Sequence, residues 1–190
     1  MMQNLWQKKL KLHYSSDVLD IVQFGSSVVE GTEPRDIDVA VIFNKIPLKE
    51  QLGQAQAIKK QLEKETKIEI HISSYDFYSL FDSSNFAREG LLFYGKSIIS
   101  KKPFAELFGL KPRVQISYKL TSLEKKGKIR FNYLLNGRGG KYGLLREFGG
   151  ELVSPGVVEI SPEHEKIFVS AMNEISREVD IRKILQIRQT

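Results

Sequence analysis

The stretch QFGSSVVEGTEPRDIDVAVIF, residues 23–43, decides how the chain is read. Gly25-Ser26 is followed by nine residues and then by Asp36-Ile37-Asp38. Both pieces border apolar runs. VLDIVQF at 18–24 reads as a buried strand that ends on the glycine. DIDVAVIF at 36–43 reads as a second strand, polar at Asp36 and Asp38 and apolar afterwards. Strand alternation sends both aspartates to one face, about 7 Å apart along the backbone. Like charges that close repel, so the pair calls for a cation. Magnesium takes one or two carboxylates together with phosphate oxygens and water. Two such ions can clamp the entering and leaving oxygens of an in-line phosphoryl displacement.

The loop supplies donors where the aspartates supply a cation site. Glycine lets a phosphate come close to the backbone, and Ser26 adds a hydroxyl beside free N–H groups at a helix start. Each piece alone is common in proteins. Their combination, nine residues apart and flanked by strands, is far more specific. The alternative is a turn or capping cluster formed by Asp36 and Asp38 after Glu33-Pro34-Arg35.

Outward from this core, Pro47 suits the first turn of a helix reaching about residue 65, with Leu48, Leu52, Ala55, Ile58 and Leu62 on one face. KIEIHI at 67–72 alternates as a third strand. Ile68, Ile70 and Ile72 take one face; Lys67, Glu69 and His71 take the other. Residues 3–15 suggest a short basic leading helix. Residues 75–95 read as helical until Gly90 and extended from there. Lys101-Lys102-Pro103 suggests a boundary, which divides the chain into parts at 1–100 and 101–190. In the second part, 111–135 reads as one or two short helices broken at Gly127. NGRGGKYG at 136–143 is a glycine-rich basic loop. A hairpin turns at Pro155-Gly156. A final helix is expected over 162–186, with Ile167, Ala171, Ile175 and Val179 on one stripe. The order of helix, helix and hairpin loosely suits a winged-helix-like unit. The fold class expected is α/β or α+β: a small mixed sheet with helices on one face, plus a small basic α+β part.

Composition narrows the function classes. The 190 residues are 41% hydrophobic and 27% charged, with no cysteine. Disulfides, zinc-thiolate sites and cysteine nucleophiles are thereby excluded, and a cytoplasmic location is the expectation. No apolar run approaches the roughly 18 residues of a membrane span, and the N-terminal stretch does not read as a secretion signal. Residues 1–100 carry 12 Lys and Arg against 13 Asp and Glu, whereas residues 101–190 carry 17 against 10. All the excess positive charge therefore lies in the second half, which suggests a part that faces an anion. Between Lys111 and Arg146, ten basic residues stand against one acid, Glu124, with Tyr118, Phe131, Tyr133 and Tyr142 interleaved. That pattern suits phosphate contact and base stacking, or a solvated face over a small core. NGRGGKYG equally suits a loop that holds the phosphates of a triphosphate.

QFGSSVVEGTEPRDIDVAVIF resembles the signature of the minimal nucleotidyltransferases in the DNA polymerase β superfamily. EGLLFYGKSI at 89–98 is similar to the segment that often ends their domain. The resemblance covers about residues 15–100. It implies a nucleotidyltransferase fold and an enzyme that transfers a nucleoside monophosphate from a nucleoside triphosphate, ATP for choice, to a hydroxyl with release of pyrophosphate. It implies that Asp36 and Asp38 bridge two Mg2+ ions, with Mn2+ an alternative. Glu69 would hold the catalytic metal and help deprotonate the acceptor. Gly25 and Ser26 would contact the β and γ phosphates. A glutamate at the third acidic position departs from the aspartate of many members, and Glu69 could instead be a solvent-facing strand residue. His71 could hold substrate or be structural, and Arg35 could touch phosphate or pair with Glu33. The acceptor could be a protein, a small molecule or a nucleic-acid end. Some members act as antitoxins that modify a separate toxin partner. The alternative function is a nucleic-acid-binding regulator or antitoxin-like module with a degenerate transferase domain.

Overall fold

Every residue from Val39 to Phe43 is buried, so the strand carrying them has no solvent face beyond its first three positions. That strand, β2 (Asp36–Phe43), is the second of four in a sheet with β1 (Val18–Phe24), β3 (Glu69–Asp76) and β4 (Lys96–Ser97), in the order β3-β2-β1-β4. β2 runs parallel to β3 and antiparallel to β1, and β4 closes the far edge antiparallel to β1. The structure, a computed structural model, describes residues 4–139, 141–176 and 178–187.

A strand apolar on both faces must be covered twice. Helix α1 (Leu48–Leu62) joins the parallel strands and sets Ala55, Ile58 and Leu62 against Ile37, Val39, Val41 and Phe43. On the other face, Ala40 and Ile42 pack with Leu80 of α2 (Phe77–Leu80), Leu91 of α3 (Ala87–Tyr94) and Phe104. Helices thus lie on both faces, where the sequence placed them on one. The expected neighbours β1, β2 and β3 are adjacent.

Three local expectations in this unit fail for physical reasons. Beyond a 3-10 turn at Leu5–Gln7, no leading helix forms among the described residues. Instead the segment is strapped to α1: Gln61 accepts a hydrogen bond from His13 N at 2.8 Å and donates to its carbonyl at 2.9 Å. β3 does not stop at Ile72. Ser73–Asp76 continue in register beside Ala40–Phe43, so the helical expectation from 75 begins too early. Asp76 ends the strand by capping α2, accepting from the N–H groups of Tyr78 and Ser79 at 2.9 Å. Gly90 does not break α3, because burial of Leu91 and Phe93 outweighs glycine's poor helix propensity.

The chain divides into two units: the residues up to Val28 with Thr32–Leu110, and Val29–Gly31 with the residues from Lys111 on. The second unit holds its own sheet of β5 (Leu110–Tyr118), β6 (Glu151–Ser154), β7 (Val157–Ile160) and β8 (Val179–Ile187), ordered β6-β7-β5-β8. Its first element is a strand, β5 (Leu110–Tyr118), and not a helix, since Pro112, Val114 and Ile116 are buried alternately. Helix α4 (Lys125–Asn136) runs unbroken through Gly127 and is followed by the short α5 (Leu144–Glu147). The hairpin of β6 (Glu151–Ser154) and β7 (Val157–Ile160) turns at Pro155-Gly156 as expected. The long final helix does not exist. Helix α6 (Glu165–Asn173) gives way to β8 (Val179–Ile187), which completes the sheet beside β5. Val114, Ile116, Phe131, Leu135, Leu145, Val158, Ile160, Phe168 and Met172 are among the buried apolar side chains of the unit's strands and helices. The molecule is mixed α+β throughout. Among the described residues, no helix is long and apolar enough to cross a membrane.

Candidate metal centre

Parallel pairing of β2 with β3 sets Asp36 beside Glu69 and Asp38 beside His71. Directly paired residues share a face, so all four side chains gather at the start of the two strands. The continuation of that face is the apolar cluster of Ala40 and Ile42. The site therefore stands where a buried sheet opens to water. His71 Nδ1 lies 3.4 Å from Asp36 Oδ2 and 3.9 Å from Asp38 Oδ1. Its Nε2 lies 3.6 Å from Glu69 Oε1. One ligand atom from each of Asp36, Asp38 and His71 falls within 4.8 Å of the others, close enough for one metal ion. The donor set fits a divalent cation: two half-buried carboxylates and an imidazole. Glu69 stands outside that group, 72% exposed at its side chain.

The electrostatics point the same way. The Asp38 carboxyl is held above its ordinary range, first by burial and then by the charge of Asp36, with His71 opposing. A carboxylate partly stripped of water beside a second carboxylate is a site a cation relieves.

The Gly25-Ser26 turn closes directly over this group. Phe24 is the register partner of Asp38, so the chain leaves β1 at the aspartate. Gly25 has φ +72°, a left-handed conformation that favours glycine, and a Cβ there would meet Asp38 Oδ2 at 2.4 Å. The turn itself is a 3-10 segment, Gly25–Val28, pinned from inside. Ser27, buried, donates to Phe24 O at 3.0 Å and accepts from Gln23 Nε2 at 3.0 Å. Ser26 is exposed, and its hydroxyl bonds to no described residue. One serine anchors the loop and the other faces solvent.

Arg35 is exposed and forms no ion pair with Glu33 or any other described acid. Arg88 donates to Phe81 O at 3.2 Å, a structural bond. His71 is the residue whose part sequence reasoning underweighted. The alternation of KIEIHI put it on the face of Glu69, but the register that sets it beside Asp38 is a tertiary fact.

No protein-family model, curated protein or solved structure matches the chain.

Proposed function

We propose that this chain is a nucleotidyltransferase, moving a nucleoside monophosphate from a triphosphate to an acceptor hydroxyl. The observation that carries the reading is the contact of Gly25 with Asp38. A loop whose exposed Ser26 hydroxyl bonds to no described residue lies against Asp38 of a carboxylate pair able to hold a cation, so one triphosphate can meet both.

Asp36, Asp38 and His71 would hold the divalent cation. Bound there, it would neutralise phosphate charge and polarise the phosphorus under attack. Mg2+ suits the carboxylates, and two ions agree with the family resemblance. The imidazole nitrogen favours Mn2+ beside it, since nitrogen donors suit transition metals better than magnesium. The N–H groups of the Gly25 turn and the Ser26 hydroxyl would donate to phosphate oxygens. Glu69, exposed on the same face beside His71 Nε2, would accept the proton of the acceptor hydroxyl. The acceptor oxygen then bonds to the α-phosphorus, the bond to the bridging oxygen breaks, and pyrophosphate leaves.

The test is incubation with triphosphates labelled at the α or the γ phosphate, in Mg2+ or Mn2+, with protein, RNA and small-molecule acceptors. The reading expects α label on an acceptor and pyrophosphate in solution. Transfer of γ label alone, or no transfer to any acceptor class, contradicts it.

A further inference from the structure

Helix α4 turns its charge outward. Phe131 and Leu135 are buried on one side, while Lys125, Lys126, Ile129, Arg130 and Tyr133 are exposed on the other; Lys128 is exposed near the helix start. At 100° per residue, Ile129 and Tyr133 fall at the centre of that exposed face. Lys125 and Lys126 stand beside them and Arg130 flanks, while Lys128 falls on the side of Leu135. None of the four cations forms an ion pair with a described residue. Exposed cations gathered on one short helix raise the local positive potential, which draws an anion to it.

The loop after α4 extends the pattern and does so at a cost in strain. Gly137 (φ +73°) and Gly143 (φ +96°) pinch its two ends together. A Cβ at Gly143 would meet Gly137 N at 2.4 Å, and one at Gly137 would meet Tyr142 O at 2.4 Å. Between them Arg138 and Lys141 pair through their backbones and leave their side chains exposed. Tyr142 adopts φ +67°, a left-handed conformation in which a non-glycine side chain is strained. Its ring is 80% exposed and so gains nothing from burial. Strain that displays an aromatic ring to solvent is the kind found where the ring meets a ligand.

We propose that the exposed face of α4 and the loop carrying Arg138, Lys141 and Tyr142 bind single-stranded nucleic acid. The cations lie along the sugar-phosphate backbone. Tyr133 and Tyr142 offer flat faces on which unpaired bases stack, which a duplex with its bases stacked inside does not supply. The surface stands on the second unit alone and does not depend on the transfer reaction at Asp36 and Asp38.

The experiment is fluorescence anisotropy with the full chain and labelled 12-nucleotide single-stranded RNA and DNA, in EDTA without triphosphate. Duplexes of the same sequence and vesicles of anionic phospholipid are run beside them. The proposal expects binding at low salt that weakens by about 0.7 log units per log unit of salt for each phosphate neutralised. The two sugars report whether RNA or DNA is preferred. Reversing charge in the triple variant Lys125→Glu, Lys126→Glu, Lys128→Glu flattens that slope. Tyr142→Gly leaves the slope intact but weakens binding about 5- to 150-fold, the range for loss of one stacked base. Glycine relieves the strained φ, so thermal stability does not fall in that variant, and a loss of affinity cannot be put down to unfolding. Tyr142→Phe keeps the ring and keeps the affinity. No single-strand binding at low salt overturns the proposal. So does a preference for duplex or for anionic vesicles, or an affinity indifferent to Tyr142→Gly.

Discussion

Asp20 is a carboxylate almost without water, 1% exposed in the middle of β1. Its Oδ1 accepts from Ser97 Oγ at 2.7 Å and from Ile21 N at 2.8 Å, while Oδ2 has no partner among the described residues. Burial raises its pKa to about 6 from 3.8, against the lowering effect of those two hydrogen bonds. The sign of the linkage follows. Between about pH 4 and pH 6 the folded chain holds a proton at Asp20 that the unfolded chain has released. Stability from this group is therefore fully present below pH 4 and is lost as pH rises through 6. About two pKa units correspond to about 3 kcal/mol. Asp20→Asn keeps the accepting oxygen and cannot ionise. Urea unfolding of both proteins from pH 4 to pH 7.5 should show the variant gaining on the parent by up to about 3 kcal/mol as pH rises. A difference independent of pH contradicts the account of this residue.

At the scale of elements, α3 makes the sharpest case. Its Gly90 reads in the sequence as the end of a helix, yet the helix runs from Ala87 to Tyr94. A Cβ at Gly90 would meet only Phe24 Cδ2 at 3.7 Å, an ordinary contact. Gly90→Ala should accordingly raise stability by roughly 0.5–1 kcal/mol. A lower melting temperature in calorimetry would show that the glycine serves a close approach after all. The same contest between local signal and packing explains which elements were legible. β1 and β2 are read to their exact ends because strand pattern, loop chemistry and burial agree. The segment after Asn173 was misread because Ile175 and Val179 suit a helical stripe and β5 needs a partner that only the folded sheet reveals. The leading segment failed likewise, since its bonds to Gln61 lie far along the chain.

For the whole molecule, the candidate centre was half legible. Asp36, Asp38, Gly25 and Ser26 announce themselves by type and spacing. His71 does not, because only the β2–β3 register brings it to Asp38. Glu69 lies on the expected face, next to His71 and outside the group that could hold a metal ion. The account as a whole rests on one joint site, in which cation and triphosphate bind together at Asp36 and Asp38. Calorimetric titration of ATP into the full chain, with and without Mn2+ or Mg2+, tests that directly, alongside Asp38→Asn. The variant keeps shape and removes one negative charge from the pair, so it should fold as the parent does. The account predicts that ATP binds the parent only with a divalent cation, and that Asp38→Asn weakens this binding at least about tenfold, the loss of a charge-assisted ligand worth about 1.4 kcal/mol or more. Equal affinity in the two proteins, or no binding of ATP to the parent with either cation, would contradict it.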